Sequence, residues 1–222
     1  MGFLDSMSKE KRLFNKVNKL LDRGKSAMAS GQSAQSLESY QKANQLLEQS
    51  RNIVSLAPRE FSGLYAMLGA GFFNHARDPD GIRCIDISLS LDGGNVKALI
   101  HKGMYLFRNG STQESIQHYD MALSAEPDNR AALANKAYAL ETLGRESDAV
   151  ALYNRILAAD ELALEFYDRI IRLTPKDPKV HNRKGIALNK LARHGEAAQA
   201  FSTALELDPR FVDAWVNKGL AM

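Results

Sequence analysis

With 222 residues, 45% of them hydrophobic, the chain can bury a substantial core, which excludes disorder as its resting state. Lys and Arg number 29 against 26 Asp and Glu, and a net charge of +3 is too small to argue for wrapping nucleic acid. Cys84 is the one cysteine, so an intrachain disulfide and a cysteine-rich metal site are both excluded.

The N-terminus carries no signal-peptide pattern, and no run of about 18 apolar residues exists to cross a bilayer, so a cytoplasmic location is expected. Charge is nevertheless uneven. Seven basic residues, Lys9, Lys11, Arg12, Lys16, Lys19, Arg23 and Lys25, face only Glu10 and Asp22 over the same stretch. Gly2 followed four residues later by Ser6 matches the short acylation pattern, and lipid plus positive charge is a two-part membrane anchor. An acylated polybasic adaptor is therefore one alternative function, although the repeats themselves give no reason for membrane contact and none is expected of them.

Residues 1–16 form this basic lead. In 17–61, Leu20, Gly24, Ala27 and Gly31 share helical spacing, and Ser36, Tyr40 and Ala43 do so after them. Pro58 closes this segment late, which predicts a long second helix reaching about Leu56. From Ser62 the pattern becomes regular with a period of 34 residues, in segments 62–95, 96–129, 130–177, 178–211 and 212–222. A bulky residue comes early (Tyr65, Leu99, Leu133, His181, Trp215) and a small one follows four residues on (Gly69, Gly103, Ala137, Gly185, Gly219). A large residue stands in the second half (Ile85, Tyr119, Tyr153, Phe201), with Gly110 or Gly144 at the turn and Pro127 or Pro209 at the close. In 62–95 the run Asp78-Pro79-Asp80-Gly81 is read as the inter-helix turn.

The period slips in 130–177, because Pro127 to Pro209 exceeds two periods by 14 residues. The excess lies where Ala149 to Leu157 recurs as Ala163 to Ile171, so the second helix is duplicated. Fourteen residues are close to four helical turns, and no Gly or Pro lies between Arg145 and Thr174. One lengthened helix over 146–173 is the favoured expectation, and a break near Ala159-Asp160, with Asp160 as N-cap, is the alternative. Either way one copy lacks a first helix to pack on. Leu164, Tyr167 and Ile171 would then need cover from a partner chain, which predicts a homodimer contact. The final segment, 212–222, holds a first helix alone, which raises the second alternative: a recruiting or regulatory arm of a protein continuing beyond Met222.

This order of large, small and turn-forming residues in a 34-residue unit resembles the tetratricopeptide repeat, TPR. The resemblance implies an all-α, right-handed superhelical solenoid of antiparallel helix pairs that binds a protein or peptide along the first helices of its pairs. Carried over slot by slot, it places Met67, Phe73, Lys97, His101, Met104, Phe107, Arg108, Asn135, Tyr138, Lys179, Asn182, Arg183 and Lys190 on the binding surface. Phe73, Met104, Phe107 and Tyr138 would form an apolar floor, and Lys97, His101, Arg108, Lys179, Arg183 and Lys190 a basic border. The expected ligand is acidic with an apolar anchor. No nucleophile with a base and an orienting group is apparent, nor any His or carboxylate set at metal-ligand spacing, so a non-enzymatic scaffold without cofactor or metal is expected.

Overall fold

A computed structural model describes residues 2–221, with side chains from residue 9 onward, and the described residues are helical throughout with no strand. The acylation pattern at Gly2 to Ser6 lies outside the described side chains. The helices are α1 (Gly2–Ala29), α2 (Ser33–Gln49), α3 (Arg51–Val54), α4 (Pro58–Asn74), α5 (Asp78–Leu91), α6 (Val96–Arg108), α7 (Thr112–Ala125), α8 (Arg130–Thr142), α9 (Glu146–Ala159), α10 (Leu164–Leu173), α11 (Pro178–Lys190), α12 (His194–Leu207) and α13 (Val212–Ala221). They fall into two compact units, Met1–Pro127 and Asp128–Met222.

In the first unit α1 packs on α2, α4 on α5 and α6 on α7. Each pair closes through the same contact. Gly24, Gly69 and Gly103 lie so near the second helix that a Cβ would come within 2.7 Å of Tyr40, 2.7 Å of Ile85 and 2.4 Å of Tyr119 respectively. The glycine costs roughly 1 kcal/mol of helix propensity. In return it seats a large side chain, and Tyr119 and Ile85 are 1% and 0% exposed. The turns follow from backbone geometry, with Gly110 at φ 84° and Gly31 at φ 74° in the left-handed region that glycine enters freely. Asn95 begins α6 by accepting the Ala98 N–H at 3.0 Å, satisfying one of the helix's unpaired donors.

Three expectations for this unit are corrected. Helix α1 runs from Gly2 through the 16/17 boundary, so residues 2–16 continue the first helix of the divergent pair rather than lead up to it. The second helix does not reach Leu56 unbroken, because Ser50 leaves helical geometry (φ −116°, ψ 25°) and α3 follows as a single turn. Asp78 to Gly81 is the first turn of α5, with Asp78 and Asp80 at its positive N-terminal end. The reversal lies just before it, at Ala76 with φ 54°.

In the second unit α8 pairs with α9 and α11 with α12, while α10 lies against both α9 and α11 and α13 beside α11 and α12. Gly185 repeats the close approach, a Cβ there falling 2.5 Å from Phe201, which is 0% exposed. Ala137 holds the same slot opposite Tyr153.

The continuous helix expected over 146–173 is not formed. Asp160 leaves helical geometry (φ −139°, ψ 85°) and its carboxylate accepts the Leu162 N–H at 3.2 Å, a local bond that competes with the helix. Arg130 then holds both sides of the break, donating to Asp160 and Glu165 at 2.8 Å each. The break matches the alternative in place, although Ala163 rather than Asp160 precedes α10. Its effect is to fold α10 back so that Phe166 stacks on Tyr153 (centroids 5.5 Å apart) and Ile170 is fully buried. Each large apolar side chain so covered contributes roughly 1.5–3 kcal/mol, which an unbroken helix would forgo.

The stripe expected to need a partner chain is therefore covered within the unit. Tyr167 is buried, and Leu164 and Ile171 are half-buried, Leu164 lying against the cluster of Leu188 and Phe201. The bare apolar face belongs instead to α13, where Trp215, Val216 and Leu220 are exposed and nothing lies within 4 Å of the Gly219 slot.

Candidate partner-binding faces

In the first unit the C-terminal end of α4 meets α6, and the meeting is aromatic. Phe73 rests on the first turn of α5, where Gly81 leaves room for its ring, a Cβ there falling 2.6 Å away. Tyr105 stacks on Phe73 at 5.9 Å, His101 lies at 6.4 Å, and the Arg108 guanidinium sits over the same ring at 5.3 Å. Arg108 also reaches Asp78 at 3.4 Å. Of the predicted residues, Phe73, His101 and Arg108 are thus brought together, with Lys97 and Met104 exposed on the same helix and Phe107 half-buried.

Met67 is half-buried and packs against the core cluster that contains Leu64 and Leu68, away from the Phe73 group. His101 is also not a member of the basic border. Burial, aided by nearby Lys97, holds its pKa below the ordinary 6.5, so at neutral pH it is an uncharged ring against Phe73. Tyr105 was missed. Its spacing from His101 and Arg108, four and three residues, marks one helical stripe and is the signal that could have found it.

In the second unit α9, α10 and α11 enclose a cleft of about 420 Å³. Leu157, Ala158, Ala159, Ile186 and Ala187 give it apolar walls, with Tyr167, Arg183 and Glu161 as its polar groups. Arg183 is aimed by two neighbours: it donates to Asn154 Oδ1 at 2.8 Å and stacks over Tyr167 at 5.6 Å. Lys190 pairs with Glu161 at 2.5 Å, both half exposed, and so offsets the acid at the cleft. The cleft depends on the helix break, since the end of α9 and the start of α10 supply half of it.

The other predicted residues of this unit do different things. Tyr138 lies under the Arg169 guanidinium at 4.3 Å, and Arg169 in turn pairs with Glu141 at 3.2 Å. Glu141 also accepts the Tyr153 hydroxyl, whose pKa rises through burial and that bond. Asn135 donates to its own helix at Ala131 O, 2.9 Å away. Asn182 is buried and accepts from Asn217 at 3.1 Å, tying α11 to α13, while Lys179 is exposed and stands apart from the cleft. The basic border thus resolves into Arg183 and Lys190 at one cleft.

One grouping has the outline of catalytic machinery. His75 bonds Ser36 through Nε2 at 2.9 Å and Ser33 through Nδ1 at 3.2 Å. Ser36 is fully buried, so the group ties α2 to the end of α4. Among the described residues no three His, Cys, Asp or Glu side chains gather where a metal could sit, and no helix is long and apolar enough to cross a membrane. Burial pushes the Cys84 thiol up to about 12.

Comparison with known proteins follows the helix pairs. The sequence model of the tetratricopeptide repeat matches residues 100–162 and 181–222. The crystal structure of yeast Tom70 is similar to this chain with a TM-score of 0.56 and 16% identity, over 93% of this chain and 49% of that one. A tetratricopeptide repeat protein from Parabacteroides merdae ATCC 43184 gives a TM-score of 0.53 and 14% identity, over 93% and 86%. A MamA protein gives 0.49 and 17%, over 88% and 93%. No curated protein matches the sequence.

Proposed function

Because the chain is a member of the tetratricopeptide repeat family, we propose that it is a non-catalytic interaction scaffold holding segments of other proteins on the faces of its first helices. The cleft of the second unit carries this reading. It joins an apolar lining to an arginine already oriented by Asn154 and Tyr167, and an arginine so held loses little further freedom on binding a carboxylate. The ligand is therefore a short acidic segment whose apolar side chain enters between Leu157 and Ile186. The α6 face of the first unit, with exposed Met104 beside the Phe73 and Tyr105 rings, offers a second apolar contact of the same kind.

The test is selection of displayed peptides on the full chain, followed by affinity measurement on variants. Enriched peptides should place Asp or Glu beside Leu or Phe. Arg183→Glu should weaken the cleft-binding class at least tenfold, and Met104→Glu the class bound on α6. Peptides that are basic, or whose affinity ignores both changes, would count against the reading.

A further inference from the structure

Helix α1 buries Leu13, Val17, Leu21, Gly24 and Ala27 against its unit, half-buries Phe14, Asn18 and Leu20 beside them, and leaves its opposite side to solvent. On that outer surface Lys9, Arg12, Lys16, Lys19 and Arg23 follow one another at alternating steps of three and four, so they form one row along the helix. Fourteen residues at 1.5 Å each make the row about 21 Å long. All five are exposed, no carboxylate of the described residues lies within ion-pairing distance of any of them, and no residue of the row is apolar or acidic. Elsewhere in the same unit Lys42, Arg77, Arg83, Lys102 and Arg108 each hold a carboxylate. The row is thus a line of positive charge without an ion pair among the described residues, with only Arg23, at its end, in the field of a carboxylate, that of Glu38.

We infer that this row docks the protein on an anionic lipid surface. A protein partner is the poorer fit, because interface cores are depleted in lysine and built around apolar anchors that the row lacks. A plane of anionic headgroups needs no matched spacing, since its lipids diffuse to the five cations, and runs of four to eight basic residues on one helix face suit it. The apolar stripe of α1 is already covered by α2 and α4, so the contact is electrostatic, without insertion.

Sedimentation of the full chain with vesicles of phosphatidylcholine, alone or with about one third phosphatidylserine, tests this. Binding should require the anionic lipid and disappear as salt rises from about 0.05 to 0.5 M. Each cation contributes about a fivefold factor, so Arg12→Glu, Lys16→Glu, Lys19→Glu together should lower partitioning at least a hundredfold. Lys16→Arg with Lys19→Arg should retain binding, and Arg172→Glu with Lys176→Glu in the other unit should leave it unchanged. Circular dichroism checks that the triple variant stays folded. Absence of binding at low salt would overturn the inference. So would undiminished binding by a folded triple variant, or tighter binding to duplex DNA or polyglutamate than to the vesicles.

Discussion

Phe201→Ala should destabilise the Asp128–Met222 unit by about 4 kcal/mol, within the 3–5 kcal/mol that removal of a buried phenylalanine costs. Phe201 is 0% exposed and lies against Leu188 and Ala197, with its ring over Gly185. Gly185 and Ala197 cannot reach into the space, and Leu188 is itself held in the same cluster at 2% exposure. The cavity therefore persists, and its cost adds to the lost transfer energy. Phe201→Leu keeps most of the volume and should cost less than about 1.5 kcal/mol. Urea unfolding followed by circular dichroism measures both, and a loss under about 1 kcal/mol for the alanine variant would mean that Phe201 does not close its helix pair.

The converse change should also be severe. A Cβ on Gly103 would stand 2.4 Å from Tyr119 Cε1, and Tyr119 is 1% exposed, so Gly103→Leu must displace a ring that has nowhere to go. A loss of about 3 kcal/mol is expected, at the upper end of overpacking. Gly103→Ala brings the same Cβ against the ring and should cost about 1–2 kcal/mol, less than leucine because no further side-chain atoms follow it and the gain in helix propensity, roughly 1 kcal/mol, offsets part of the overpacking. Ala137 opposite Tyr153 is the chain's own instance of that compromise. Adding Tyr119→Ala to Gly103→Leu should recover at least 1 kcal/mol of coupling in a double-mutant cycle. Strict additivity would show that the two residues do not meet.

These contacts are also what made the fold legible. Glycine at a fixed slot and an aromatic or Ile 16 residues later leave a periodic trace, since only that combination lets two helices approach so closely. Turns at Gly110 and Gly144 leave a similar trace through their positive φ. The misread elements have causes that local sequence does not carry. Neither Gly nor Pro marks the break at Asp160, which depends on a carboxylate bonding its own backbone and on Arg130, thirty residues away, bridging Asp160 and Glu165. Ala76 and Ala192 adopt the left-handed turn without glycine, and at the reversal before α5 the adjacent Asp-Pro-Asp-Gly carries the more conspicuous turn chemistry.

For the candidate site, spacing identifies exposed positions but not their chemistry. Slot positions do pick out exposed first-helix side chains, as at Met104, Arg108 and Lys179. They do not tell which cations are already engaged. Arg169, outside any predicted slot, covers Tyr138, while Arg183 is aimed by Asn154 from a different helix. His101 loses its charge to burial beside Phe73. The cleft itself could not be anticipated from periodicity, because it exists only where the 14-residue insertion departs from the period and folds back on α9.

If partners are held on the first-helix face of α11, where it meets the ends of α9 and α10, hydrogen exchange of the chain with and without a selected acidic, apolar peptide will register it. Binding should slow exchange in α11 around Arg183 and Ile186, and at the α9 end near Ala159, with α12 unchanged. Protection confined to α12 or to the second helices α5 and α7 would contradict it.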